Sequence, residues 1–197
     1  MAELLYQGHG SFRITTNAGT VLYVDPFAGE GYDVPADMIL VSHEHYDHTE
    51  IDKMPHGPSC RVFRASDLLK NGKYLSITHC DINCRAVKAY NANHPISECV
   101  GFLLQFDGLT VYASGDTSKT DDMGTIIHDA KPDYALLCGD GIYNMDIPEA
   151  SECAHIVAAK HSMPIHLLPG SLFSEERAAL FDGPGKLIVR PGEILSL

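Results

Sequence analysis

The segment His43-Glu44-His45-Tyr46-Asp47-His48 places three imidazoles and a carboxylate within six residues, directly after the apolar run Met38-Ile39-Leu40-Val41. Neutral imidazole and carboxylate oxygen are donors that borderline divalent cations such as zinc prefer. Metal binding is therefore the chemistry these residue types suggest. His43 and His45 are two apart, so on an extended segment their side chains face the same way and can share one ion. Asp47 and His48 continue the loop toward a second ion. A catalytic zinc takes about three protein ligands plus a water, so two ions call for roughly six or seven donors. The rest must come from elsewhere in the chain.

The elements that would position these groups read as strands ending at the reactive residues. Met38–Val41 is a buried strand that gives way to the His-rich loop. His94, in Asn91-Ala92-Asn93-His94-Pro95, lies just past a strand at Cys84–Tyr90, and the following proline favours an extended backbone. Asp116, in Ser114-Gly115-Asp116-Thr117, directly follows a strand at Leu109–Ala113, and a carboxylate there can bridge two cations. His166 closes the short apolar strand Pro164–Leu167.

The remaining pattern is a meander at Glu3–Tyr6, Ser11–Thr15 and Thr20–Val24, then a short helix at Thr49–Lys53 and a strand at Arg61–Arg64. A small helix near Ser66–Lys70, a strand at Tyr74–Ile77 and a hairpin of Cys99–Phe106 with Leu109–Ala113 around Asp107-Gly108 follow. Helices are expected at Asp121–Asp129, from the cap Asp146-Ile147-Pro148-Glu149 to about His161, and at Ser174–Phe181. A strand fits Tyr134–Cys138, and Lys186–Arg190 with Glu193–Leu197 reads as a closing strand pair. The order implies one α/β domain over residues 1–197.

In this arrangement the chain resembles the metallo-β-lactamase fold hydrolases. Their HxHxDH signature stands here as His43, His45, Asp47 and His48, followed in the family's order by His94, Asp116 in a Gly-Asp-Thr context and His166. Gly8-His9-Gly10-Ser11-Phe12 and Val24-Asp25-Pro26-Phe27 resemble the family's G-H-x-x-F and D-P elements. The likeness is nearest to compact bacterial metal-dependent hydrolases, a group that includes an ascorbate-phosphate lactonase. It implies a four-layer αββα sandwich and two divalent ions, zinc foremost, with manganese or iron using the same donors. His43, His45 and His94 would hold the first ion, Asp47, His48 and His166 the second, and Asp116 would bridge them. A water made acidic by the metal, with a pKa near ~7, would attack a small ester, lactone, amide or phosphoester. Asp47 would orient that nucleophile or take its proton. Asp25 is a second-line acceptor for a ligand imidazole N–H, and His9 shares that part or touches substrate.

Composition narrows the field. An apolar share of 45% and a charged share of 20% are those of an ordinary globular protein. A net charge of −12 argues against nucleic acid and anionic membrane as partners, because both need clustered Lys and Arg. No apolar run or basic leader marks a membrane span or signal peptide, so a cytoplasmic location is expected. Six cysteines without a CxxC pair read as free thiols, mostly in the core. Glu44 alternates away from the ligand histidines, Tyr46 either lines the pocket or packs, and Gly139-Asp140-Gly141 reads as a turn at the site edge. No long insertion separates His94 from Asp116, which suggests an open site or one completed by a second copy in a homo-oligomer.

Two other readings stay open. One is a mononuclear iron oxidoreductase resembling the persulfide dioxygenases; His45 speaks against the flavodiiron variant, which has Glu at that place. The other is a metal-binding scaffold without catalysis.

Overall fold

The computed structural model describes residues 1–197. The chain opens with strands β1 (Glu3–Gly8), β2 (Ser11–Thr15), β3 (Val21–Val24), β4 (Ala36–Val41) and β5 (His56–Arg64). Helix α1 (Ala65–Leu68) and a hairpin of β6 (Leu69–Lys70) and β7 (Lys73–Tyr74) lead into β8 (Ser76–His79), β9 (Ile82–Lys88), β10 (Val100–Phe106) and β11 (Leu109–Ala113). Helix α2 (Ile126–Asp129), β12 (Tyr134–Cys138), α3 (Ile147–Val157), β13 (His161–Ile165), α4 (Glu175–Leu180) and β14 (Ile194–Ser196) complete it.

Two six-stranded sheets result, ordered β14-β1-β2-β3-β4-β5 and β13-β12-β11-β10-β9-β8. Each begins with antiparallel pairs and ends with parallel ones: β3–β4–β5 in the first, β11–β12–β13 in the second. From these pairings, β1, β3 and β4 run the same way in one sheet, and β9, β11, β12 and β13 run the same way in the other.

Side-chain alternation makes the layers. Leu4, Tyr6, Phe12, Ile14, Leu22, Val24, Met38 and Leu40 of the first sheet pack against Phe102, Leu104, Val111, Ala113, Leu136 and Ile165 of the second. Each such fully buried side chain is worth about 1.5–3 kcal/mol, so this inter-sheet face dominates stability. The opposite face of the second sheet (Leu103, Tyr112, Ala135, Leu137) takes Ala150, Cys153, Ala154 and Val157 of α3, spaced along one helical stripe. The outer face of the first sheet (Tyr23, Ile39, Val41) is covered by Tyr32, Met54, Ile51 and Val34, which lie in loops and 3₁₀ turns. The sandwich is thus αββα in plan, with a thin outer layer on one side.

Several element expectations need correction. Residues Lys186–Arg190 form no strand; apart from Leu187 N–H donating to Ser162 O, the closing segment is irregular, and β14 pairs with β1 instead (Leu4 opposite Leu195). The Asp121–Asp129 helix is broken into a 3₁₀ turn (Asp121–Gly124) and α2, because Thr125 leaves helical geometry (φ −127°, ψ −97°). Helix α3 stops at Val157, where Ala158 turns left-handed (φ 53°), and His161 already belongs to β13. Thr49–Lys53 is only a 3₁₀ turn at Ile51–Lys53, and α1 gives way to β6 at Leu69. The six cysteines are free; Cys84, Cys99, Cys138 and Cys153 are buried. No helix is long and apolar enough to cross a membrane.

Candidate metal centre

Every residue singled out for chemistry lies just beyond the carboxyl end of a strand. His9 follows β1, Asp25 follows β3, and His43 to His48 follow β4. His94 follows β9, Asp116 follows β11 and His166 follows β13. Placing ligands outside the carboxyl ends of strands is the general solution of open α/β sheets. Two backbone bonds hold the edges of the two sheets in register there: His166 N–H to His9 O (2.8 Å) and Val100 N–H to Ser42 O (3.0 Å). His9, Asp25 and His166 all sit in left-handed backbone (φ 55°, 46° and 47°), a conformation that non-glycine residues rarely adopt outside functional sites and turns. Gly10 leaves room for a ligand ring, since a Cβ there would lie 3.1 Å from His48 Cε1 and press on that imidazole.

The side chains converge in overlapping groups. Ligand atoms of His43, His45 and His94 lie within 4.8 Å of one another, as do those of His9, Asp47, His48 and His166, and those of His43, His48 and Asp116. Asp116 joins them: its Oδ1 is 3.5 Å from His48 Nε2, and its Oδ2 is 3.4 Å from both His94 Nε2 and His166 Nε2. All seven residues expected to hold metal are therefore brought together.

A family model described as the β-lactamase superfamily domain matches residues 3–166. The chain is 30% identical over 190 residues to a UPF0173 metal-dependent hydrolase of Thermoplasma acidophilum, covering 83% of this chain and 82% of that protein. The chain belongs to the β-lactamase superfamily, among its UPF0173 metal-dependent hydrolases. A second such hydrolase, from Saccharolobus solfataricus, is 26% identical over the full length of both chains. The metallo hydrolase Igni18 of Ignicoccus hospitalis shares the metallo-β-lactamase fold with a TM-score of 0.71, 20% identity, and coverage of 98% of this chain and 97% of that one.

The donor set of this superfamily member suits a cation. His43 Nε2 is buried without a hydrogen-bond partner, and the ring nitrogens of His48 and His166, though 3.0–3.5 Å from carboxylates, make no aligned hydrogen bond; an unsatisfied buried polar atom costs about 1–3 kcal/mol. A divalent ion shared by imidazole and carboxylate removes that cost. Behind the imidazoles stand specific partners. Ser42 Oγ donates to Asp25 Oδ2 (2.7 Å), which leaves it to accept from His43 Nδ1 (2.9 Å) and frees Nε2 for metal. Asn91 Oδ1 accepts from His94 Nδ1 (2.9 Å). Asp25 Oδ2 lies 3.0 Å from His48 Nδ1, and Asp140 Oδ2 lies 3.3 Å from His166 Nδ1. His9 Nε2 reaches Asp47 Oδ2 at 3.1 Å.

These partners set the charges. Burial pushes His43 down to about 2, reinforced by His48, and burial likewise lowers His94. Burial acts the same way on His48, but Asp116 and Asp25 outweigh it and hold that imidazole well above its usual value. His166 is raised too, with Asp116 and Asp140 overcoming burial. Against the opposing effect of burial, the His9 hydrogen bond draws Asp47 down to about 2, and His166 with backbone N–H groups draws Asp140 to about 2.

Asp140, Asn91, Ser42 and Asn144 escaped the reading of the sequence. Asp140 is fully buried rather than a simple edge turn; its Oδ1 accepts from the backbone N–H of Ile142 and Tyr143 (2.7 Å each). Asn144 Nδ2 donates to Asp116 Oδ2 (2.8 Å) and Asp140 Oδ2 (2.7 Å). The available signal was Asp140's position at the end of a buried strand parallel to the one that precedes His166. Glu44 is exposed and pairs with Arg64 (2.7 Å). Tyr46 is 77% exposed and lines, with His45, Asp116 and His166, a cleft of about 450 Å³ over the cluster.

Proposed function

We propose that this chain is a dinuclear metal-dependent hydrolase of a small ester, lactone, amide or phosphoester. Zinc suits the donors best, and manganese and iron share them. The observation that carries the reading is the convergence of two imidazole-bearing groups on the single carboxylate of Asp116. His43, His45 and His94 would hold one ion, Asp47, His48 and His166 the other, with Asp116 common to both. Divalent cations bound there supply Lewis acidity and bring the pKa of a water down to about 7.

The protein's own groups complete the task. Asp47 is positioned by His9, and a carboxyl held at about 2 stores protons poorly. Its part is to orient the attacking water as a fixed acceptor. Asp25 and Asp140 keep His48 and His166 aimed at the centre, as do Ser42 and Asn91 for His43 and His94. The exposed edge at His45 and Tyr46 admits substrate from solvent. The net charge of −12 supports a small-molecule partner over nucleic acid or membrane, in a single-domain cytoplasmic protein acting alone or as a homo-oligomer.

Metal analysis of protein purified without added metal, followed by zinc titration against ester, lactone and phosphoester panels, tests this. The expected result is two ions per chain and turnover that rises with the second. Full occupancy without turnover of any panel member would favour the scaffold. One iron per chain with oxygen-dependent thiol chemistry would favour the oxidoreductase.

A further inference from the structure

We propose that the substrate is a carboxylic ester, lactone or amide, uncharged away from its scissile bond, whose aromatic acyl portion is received by Tyr46 and Tyr143. This rests on the hydrolytic reading above and narrows it by setting phosphoesters and other anions aside.

The charge of the cleft is the first support. No Lys or Arg lines the cleft over the metal cluster or the adjoining lobe of about 340 Å³. Sites that recognise phosphate or carboxylate groups ordinarily supply Arg or Lys for them. Arg64, next in sequence to the lobe residue Ala65, is engaged by Glu44 at 2.7 Å. Glu44 and Glu98 are the charged residues of the lobe, so an anionic arm reaching beyond the metal cluster finds no cationic side chain there.

The aromatic rim is the second. Tyr46, after β4, and Tyr143, after β12, come from different sheets, line the same cleft and are 77% and 53% exposed. Tyr143 is exposed on a locked backbone. Its N–H donates to Asp140 Oδ1 (2.7 Å), and its carbonyl accepts from Asn91 Nδ2 (3.0 Å) and Asn93 Nδ2 (3.1 Å). Asn91 also accepts from His94 Nδ1, so the Tyr143 backbone and that imidazole are tied to one side chain. Tyr46 is braced edge-on by Phe27, ring centres 5.7 Å apart. Rigid exposed aromatic rings bind flat apolar groups at little ordering cost.

The reaction balances simply. Water oxygen bonds to the acyl carbon, the carbon–oxygen or carbon–nitrogen bond breaks, and one proton of the water passes to the leaving atom. At neutral pH the acid product then loses its proton to solvent.

Two arms test this. Saturation-transfer NMR on metal-free protein compares phenylacetamide with its anionic isostere phenylacetate. The amide should bind, Tyr143→Phe should retain that binding, and Tyr143→Ala should weaken it about tenfold, while phenylacetate should give no signal. Binding of phenylacetate equal to that of the amide would overturn the proposal. With zinc-loaded protein, methyl phenylacetate should exceed methyl acetate in kcat/KM by about tenfold, and Tyr143→Ala should erase that preference through KM rather than kcat. Faster turnover of phenyl phosphate than of methyl phenylacetate would also overturn it. No turnover of any substrate at full metal loading would instead defeat the hydrolytic reading, and the metal-free arm separates the two failures.

Discussion

The two halves of the site use the same imidazoles and differ in what stands behind them. Behind His43 and His94 are neutral groups, Ser42 Oγ and Asn91 Oδ1. Behind His48 and His166 are carboxylates, Asp25 and Asp140. Burial lowers all four imidazoles: it prevails at His43, taken down to about 2, and at His94, whereas Asp116 with Asp25 raises His48 and Asp116 with Asp140 raises His166. Protons therefore compete with a cation more strongly in the second half than in the first. The general lesson is that the carboxylates around a buried imidazole, set against burial, decide which way its charge moves.

The largest effect should come from what both halves share. Asp116→Ala should lower metal content below two per chain and hydrolysis by about 10³-fold, several kcal/mol of lost stabilisation, read by elemental analysis and kcat/KM. Next, Asp140→Asn should weaken loading of the second half by about 10–100-fold and spare the first, while Asn91→Ala should do the reverse. Competition titrations check this, and equal weakening of both halves by either variant would break the contrast.

Calorimetry in two buffers of different ionisation enthalpy sharpens it further. At neutral pH the second half should release more protons on loading than the first, because His48 and His166 are raised while His43 and His94 are lowered. Loading of the second half should accordingly weaken as soon as pH falls below neutrality.

Stability of the metal-free protein shows the same opposition. His43 falls from 6.5 to about 2 on folding, so the unfolded chain binds the extra proton between those values and stability is lost as pH drops below 6.5. The raised His48 and His166 act in the other sense: their contribution is complete below 6.5 and disappears as pH rises through their folded values. His43→Gln should therefore flatten the acid limb of the metal-free stability curve by about 2 kcal/mol between neutrality and roughly pH 5. The smallest change belongs to Glu44→Gln, whose exposed pair with Arg64 should shift stability by no more than about 0.5 kcal/mol in thermal melts.

The ligands were legible in the sequence because each is tied to a local pattern: a contiguous His-rich loop after an apolar strand, or a lone His or Asp where an apolar run stops. Asp25 and His9 were legible less sharply: Asp25 does lie against a candidate ligand imidazole, that of His48, whereas His9 reaches a carboxylate, Asp47, instead of an imidazole. Asp140 read as a turn because its role exists only once β12 and β13 pair in parallel and bring it beside His166. Asn91, Ser42 and Asn144 act through single amide or hydroxyl groups, residue types too common in loops to stand out. The same limit explains the error at Lys186–Arg190: the pattern shows strand propensity, but the edge of β1 chooses its partner, and it takes Ile194–Ser196.

Anomalous diffraction from crystals loaded with zinc tests the central claim most directly. Two peaks should flank the Asp116 carboxylate, one among His43, His45 and His94, the other among Asp47, His48 and His166. A single peak, or ions bound away from Asp116, would contradict the account.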